Sequence, residues 1–155
     1  MAVCGPNVID MSFTYSNCYN LSSPVCGENV TNMAHTYYNC INLTGTAICG
    51  NKVTILANTY YNCSNIKPNV YFYSSNISNV KNCFGGRQSY NILNIYAPIN
   101  STSFETLLYS NTNSLVGANI TYTNDVANNC YYNTKYNIYI YPVENVAAVR
   151  AANGD

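Results

Sequence analysis

The chain of 155 residues contains no tryptophan, one histidine and few charged side chains. Only 8% of its residues are Asp, Glu, Lys or Arg, whereas about 25% is typical of soluble domains. Its six basic and six acidic side chains balance, so the sequence has no electrostatic footprint for nucleic acid or an anionic membrane. No apolar run is long enough to span a bilayer, so we expect no membrane insertion.

The first residues lack the basic and apolar regions of a secretion signal. We therefore expect either that the protein is not exported by the usual route or that a signal has been removed.

Motifs for catalysis, cofactor binding and metal binding are also missing. The acidic residues are scattered, without the close pair that glycosidases use. There is no G-x-S-x-G, H-E-x-x-H or C-x-x-C motif, and Gly85-Gly86 predicts a turn rather than a phosphate-binding loop. His35 lies at a variable position of the repeat described below, where we expect it to be exposed. The sequence thus predicts no enzymatic activity, cofactor or metal site.

Tyrosine and asparagine take the place of charge. Seventeen tyrosines offer apolar rings with polar tips, which suit interfaces and sugar-binding surfaces. The zero net charge reduces self-repulsion and favours packing against copies of the same chain or within a large assembly.

The first half of the chain is a repeat. Its copies begin at Cys4, Cys26 and Cys49, which are 22 and then 23 positions apart, and a degenerate fourth copy begins at Tyr73. Four positions in each copy stay apolar, which predicts that they face a core shared by stacked copies. These columns are Val8, Val30, Val53 and Ile77; Met11, Met33, Leu56 and Val80; Tyr15, Tyr37, Tyr60 and Phe84; Leu21, Leu43 and Ile66.

Asparagine also recurs in two columns of the repeat. Because successive strands of a stack lie roughly 4.8 Å apart, an Asn on every copy can bridge its turn to the neighbouring copy. We favour this structural ladder over a polar ligand surface. The columns are Asn17, Asn39 and Asn62, and Asn20, Asn42 and Asn65.

Six of the eight cysteines occupy two further columns of the repeat. Disulfides would suit a secreted chain with an even cysteine count, and zinc would require converging C-x-x-C pairs. Stacked thiols can instead serve as small buried apolar groups, and the sequence favours this third interpretation. The columns are Cys4, Cys26 and Cys49, and Cys18, Cys40 and Cys63; Cys83 and Cys130 lie outside them.

The motif N-V-x-x-M-x-x-x-Y-x-N-C-x-N-L spans residues 7–21 and again 29–43, and residues 52–66 keep its spacing. It resembles the BspA-type leucine-rich repeats of bacterial surface proteins, in a Tyr/Asn-rich version similar to those of gut bacteria and their phages. The resemblance implies a curved solenoid with a short strand in each repeat, in proteins that bind host matrix or cells.

We therefore predict a leucine-rich-repeat-like solenoid over residues 1–87, with a short strand and a helical turn in each coil of about 23 residues. The strands are expected at 22–26, 44–49 and 67–73. Each glycine that follows a starting cysteine is expected to turn the chain with a positive φ. These glycines are Gly5, Gly27 and Gly50.

Residues 88–155 are predicted to form a C-terminal α+β cap. It comprises a strand at 91–99 and a short helix at 103–110. Residues 118–125 and 136–143 are expected to pair as a β-hairpin around a loop at 126–135. The tail at 144–155 is expected to form a terminal helix or an arm that reaches a neighbouring subunit.

Three functions agree with these features. The first is a non-enzymatic structural or attachment protein of a phage virion, and the second is a bacterial cell-surface adhesin module that binds host protein or glycan. The third is a self-assembling architectural subunit, that is, a homo-oligomer. Expected partners are a protein or glycan on a cell surface, or other virion proteins. The candidate binding surface is Tyr19, Tyr38 and Tyr61, for which lateral packing between copies is the competing interpretation.

Overall fold

A six-stranded mixed sheet organises the computed structural model, which describes residues 4–25, 27–88, 91–109 and 114–155. The order of the strands across the sheet is β1-β2-β3-β6-β5-β4. Strands β1, β2, β3 and β6 run parallel, whereas β4 and β5 are antiparallel to their neighbours. The elements are β1 (Ala47–Cys49), β2 (Asn69–Phe72), β3 (Leu93–Pro98), α1 (Thr102–Tyr109), β4 (Thr123–Asp125), β5 (Cys130–Asn133), β6 (Ile138–Val143) and α2 (Val146–Ala152).

Alternation of side chains along the central strands separates the core face of the sheet from its outer face. Both β3 and β6 alternate strictly between buried and half-buried residues. The register aligns Val70 with Ile95 and Ile95 with Ile140, all fully buried. One hydrophobic cluster runs from Met11 to Ile140 and joins the repeat to the C-terminal strands.

The copies of the repeat lie against one another, but they are built from tight turns. Within the first copy the Thr14 N–H donates to the Met11 carbonyl at 3.0 Å. The Met11 N–H donates to the Asn32 carbonyl of the next copy at 2.9 Å. Isolated parallel bridges continue this ladder through Ile55 to Asn79.

The prediction of a leucine-rich-repeat-like solenoid with a helical turn in each coil is wrong. Within the described residues, the two short helices both lie in the C-terminal half, and the expected helical segments of the repeat are turns. Residues in these segments adopt φ values of about 55–61°. A right-handed helix cannot include such left-handed residues, because its φ lies near −63°. The residues are Phe13, Asn17, His35, Asn39, Asn58 and Asn62.

The prediction that a glycine with a positive φ turns the chain in each copy is also wrong. None of Gly5, Gly27 and Gly50 has a positive φ. Left-handed residues instead occupy two other columns, one of Phe13, His35 and Asn58 and one of Asn17, Asn39 and Asn62. Four of these six residues are asparagines, whose short polar side chain tolerates this conformation better than most. One of the two predicted asparagine columns, that of Asn17, Asn39 and Asn62, therefore lies where the backbone turns.

The asparagine ladder itself is confirmed. The Asn39 Nδ2 donates to the Asn17 Oδ1 at 3.0 Å, and the Asn62 Nδ2 donates to the Asn39 Oδ1 at 3.2 Å. In the second column, the Asn42 Nδ2 donates to the Tyr19 carbonyl of the preceding copy at 2.6 Å. These side chains link turns that would otherwise expose unpaired polar groups.

The apolar columns face the core in the second, third and fourth copies. Met33, Tyr37 and Leu56 are fully buried, and the rings of Tyr37 and Tyr60 stack with centroids 5.4 Å apart. In the first copy Tyr15 is only half-buried, although it stacks on Tyr37.

No disulfide joins two described members of the cysteine columns, and Cys26 lies outside the described residues. The free thiols are Cys4, Cys18, Cys40, Cys63, Cys83 and Cys130. The Cys40 Sγ donates to the Tyr15 carbonyl at 3.1 Å, and the Cys63 Sγ donates to the Tyr37 carbonyl at 3.0 Å. The interpretation as small buried groups holds for these two columns from Cys40 onward.

The C-terminal half agrees with the sequence in part. Strand β3 and helix α1 lie where they were expected, although residue 110 falls outside the described part. The strands expected at 44–49 and 67–73 are confirmed by β1 and β2, whereas residues 22–25 form no strand.

The predicted hairpin is wrong. Strand β5 forms inside the expected loop and lies between β4 and β6, so those two strands are not neighbours. Asn129 takes a φ of 49°, and the Asp125 carboxylate accepts from the backbone N–H and the side chain of Asn128. This capped turn reverses the chain several residues earlier than the sequence indicated. The tail forms α2, one of the two forms expected.

Replacing Asn39 distinguishes a turn from a helix at this position. Asn39→Ala should destabilise the protein by about 1–3 kcal/mol, because alanine pays the cost of a left-handed φ and loses both ladder hydrogen bonds. Asn39→Gly should cost less, since glycine tolerates this φ. Urea unfolding curves measure both changes. An alanine variant more stable than the wild type would instead indicate a helical site, where alanine is favoured.

The buried thiols predict a loss of stability at alkaline pH. Burial raises the pKa of Cys40 to about 11 and that of Cys63 to about 12, from an ordinary value of 9.0. A pKa raised by folding contributes stability below pH 9 that is lost as the pH rises through the window from 9 to 12. Unfolding free energies at pH 7, 9 and 10 should therefore fall, and Cys63→Ala should reduce the slope. Ser22→Ala, at an exposed side chain that does not titrate, is the control and should leave the slope unchanged.

Candidate functional site

Four aromatic rings form a continuous row on the surface of the repeat, called the aromatic row below. The rings of Phe13 and His35 stack with centroids 4.5 Å apart. The ring centroids of His35 and Tyr38 lie 5.2 Å apart. The ring of Tyr38 stacks on that of Tyr61, with centroids 4.7 Å apart and an interplanar angle of 9°. Phe13 is 61% exposed and the other three rings are half-buried, so ring faces and edges are available to a partner.

The backbone ladder produces this row. Corresponding residues of successive copies are held one strand spacing apart, roughly 4.8 Å, which is close to the stacking distance of aromatic rings. Phe13 and His35 both have left-handed φ values, 61° and 55°.

Two glycines end the aromatic row. A Cβ on Gly86 would lie 3.2 Å from the Cζ of Tyr61, so the missing side chain lets the backbone lie against the ring. Gly86 has a φ of +73°, a conformation that side-chain-bearing residues rarely adopt.

The structure brings together two of the three candidate residues. Tyr38 and Tyr61 are stacked, as the competing interpretation of lateral packing requires, and they also reach the surface. Tyr19 is 53% exposed and has no ring contact in the described part of the chain. Only Tyr38 and Tyr61 therefore share a site.

The sequence reasoning missed Phe13 and His35. They align at one position of the repeat, whose third member is Asn58. This position is variable, but two of its three members are aromatic, and that is the signal that could have indicated the row. His35 is half-buried rather than exposed, and its Nδ1 is shielded without a hydrogen-bond partner.

A second group of tyrosines lies on the outer face of the sheet. Tyr71, Tyr96 and Tyr141 stack across β2, β3 and β6 with centroid distances of 5.3 and 4.9 Å. Helix α2 and the C-terminus cover one end, where the Tyr71 hydroxyl donates to the Asp155 Oδ2 at 2.6 Å. Burial, followed by this hydrogen bond, raises the pKa of Tyr71 to about 12. Alternation along β6 places Tyr139 and Tyr141 on one face, but this local pattern does not indicate the register of β6 with β3.

The chemistry available at the aromatic row is stacking. Aromatic faces pack against sugar rings, other aromatic rings or guanidinium groups. Among the described residues, no group of three or more His, Cys, Asp and Glu side chains is placed to hold a metal ion. No described helix is both long and apolar enough to cross a membrane.

Comparisons with known proteins add no assignment to this geometry. No protein-family model matches the chain, and no curated protein or solved structure matches it significantly.

Proposed function

We propose that this protein is a non-enzymatic structural and attachment protein of a phage virion, and that the aromatic row is its contact surface. The observation that carries the proposal is the row itself, in which two stacked pairs, Phe13 with His35 and Tyr38 with Tyr61, meet at a tilted contact and stay partly exposed. Interfaces depend on a few aromatic anchors more than on charge. Because only 8% of the residues are charged, this chain can form few charged contacts with a partner.

The rigidity of the row supports a binding role. Each ring is held by its neighbours and by a hydrogen-bonded backbone, as in the donation from the Asn17 N–H to the Tyr38 carbonyl at 2.7 Å. A partner therefore orders few side chains when it binds, and the entropic cost of association is reduced. Tyrosine adds to this because it presents a large contact area with few rotatable bonds.

The placement on a virion rests on the resemblance of the repeat to Tyr/Asn-rich proteins of gut bacteria and their phages. A cell-surface adhesin module would use the same surface. Mass spectrometry of purified particles and of cell-envelope fractions separates the two locations. Enrichment in the envelope fraction would favour the adhesin.

Removing the two central rings should weaken attachment without unfolding the protein. The double variant Tyr38→Ala/Tyr61→Ala should bind cells or particles at least about tenfold less tightly, as expected when two anchor rings are lost. Surface plasmon resonance on immobilised cell-envelope material measures the change.

Tyr109→Ala is the matched control, because Tyr109 is 70% exposed and lies on α1, outside the row. Its binding should equal that of the wild type. Circular dichroism should show all three proteins folded. A folded double variant with unchanged binding would exclude the aromatic row as the contact surface.

A further inference from the structure

A pocket of about 240 Å³ lies where the fourth copy of the repeat meets the C-terminal half. It is called the Arg87 pocket below. Among the described residues that line it, Arg87 is the one charged side chain, and none of them carries a carboxylate. Its apolar walls come from Phe84, Val116 and Tyr136. The lining residues are Phe84, Gly85, Gly86, Arg87, Gln88, Val116 and Tyr136.

The Arg87 guanidinium is only partly compensated. Its Nη2 donates to the Asn91 carbonyl, whereas its Nη1 is shielded from solvent and has no hydrogen-bond partner. Among the described residues, Lys67 forms an ion pair with Asp155, whereas Arg87 forms no ion pair. A shielded cation without an anion is costly. Burial lowers the pKa of Arg87 to about 10, so the group is still protonated at neutral pH.

The backbone beside Arg87 also lacks partners. The N–H groups of Gly86, Arg87 and Gln88 make no hydrogen bond within the described residues. They are consecutive, and Gly86 has a φ of +73°. Successive N–H groups around a left-handed residue form the concave arrangement that binds anions in proteins.

A second cation lies close by. The Lys135 Nζ sits over the ring of Tyr136, 5.3 Å from its centroid, and Tyr136 forms one wall of the pocket. Since Lys135 is not itself in the lining, a single guanidinium balances the ligand. The complement is one negative charge on a group with two acceptor oxygens, such as a carboxylate, which can accept from adjacent backbone N–H groups.

We propose that the Arg87 pocket binds the carboxylate of a small, otherwise uncharged ligand. The acid group accepts from the unpaired backbone N–H groups beside Arg87, and its negative charge balances the nearby guanidinium. The body of the ligand packs against Phe84, Val116 and Tyr136. A sugar acid and the free C-terminus of a peptide both carry this chemistry. The proposal goes beyond the attachment function and does not require it, although Gly86 contacts both the pocket and Tyr61 of the aromatic row.

Isothermal titration calorimetry with defined probes tests the proposal. Sodium glucuronate represents the sugar acid, and N-acetylglycylalanine represents the peptide terminus. Glucose and the amidated peptide are their uncharged counterparts, and inorganic phosphate is the competing anion. Saturable binding of either carboxylate, with none of its uncharged counterpart, supports the proposal and identifies the source. Because burial lowers the pKa of Arg87 to about 10, the affinity for the carboxylate should fall as the pH rises above that value.

Arginine variants locate the binding. Arg87→Gln should weaken binding of the carboxylate at least about tenfold, because a charge-assisted pair is lost. Arg87→Lys should retain part of the affinity, since it keeps the charge without the fork. Lys81→Gln is the matched control, because it removes one positive charge from an exposed side chain of the same copy, and it should bind as the wild type does.

If Arg87→Gln does not fold, nuclear magnetic resonance of the wild type can locate the binding site without a variant. The amide resonances of Gly86, Arg87 and Gln88 should shift on addition of the carboxylate that binds. The proposal is overturned by the absence of binding for both carboxylates, by tighter binding of phosphate, or by a folded Arg87→Gln variant with unchanged affinity. Amide shifts confined to other parts of the chain would overturn it equally.

Discussion

The ladder of backbone hydrogen bonds between successive copies of the repeat is the constraint on which the rest of the structure depends. N–H groups of one copy donate to carbonyls of the next, as between Met11 and Asn32 or Tyr15 and Thr36, both at 2.9 Å. The ladder fixes the spacing of the copies at one strand width. Every column of side chains then repeats at that spacing, inside and outside the stack.

This one spacing explains both the core and the surface. Inside, it stacks Tyr37 on Tyr60, with centroids 5.4 Å apart, and lets the Thr36 hydroxyl reach the Met11 carbonyl of the preceding copy at 2.9 Å. Outside, it stacks Tyr38 on Tyr61. The aromatic row is therefore a consequence of how the backbone is held, and its rigidity follows from the same hydrogen bonds.

The repeat ends at Gly85 and Gly86, where the C-terminal half of the chain begins. Gly85 and Gly86 close the aromatic row against Tyr61, and the next residue, Arg87, forms no ion pair with a described carboxylate. The parallel strands β1 and β2 of the repeat continue through β3 into β6 of the C-terminal half, so one sheet spans both halves of the chain. The described core has no gap between the repeat and the C-terminal half.

The sequence by itself determined the period, the inward columns, the asparagine ladder and the cysteine columns, because each repeats along the chain and repetition identifies equivalent environments. It also located β3 and α1, whose local patterns are strong. The helical turns were predicted wrongly, because apolar residues at spacings of three and four fit successive tight turns as well as a helix. What distinguishes them is the left-handed φ at positions such as Asn39, and no pattern of hydrophobicity encodes it.

Only the tertiary structure decided which strands are neighbours and which side chains share a surface. β5 was hidden in a stretch rich in turn-forming residues, and its place between β4 and β6 depends on pairing over the whole sheet. The joining of Phe13 and His35 to Tyr38, and the isolation of Arg87 from every described carboxylate, are likewise properties of distance. Contacts between residues far apart in the chain depend on packing, which a local pattern does not record.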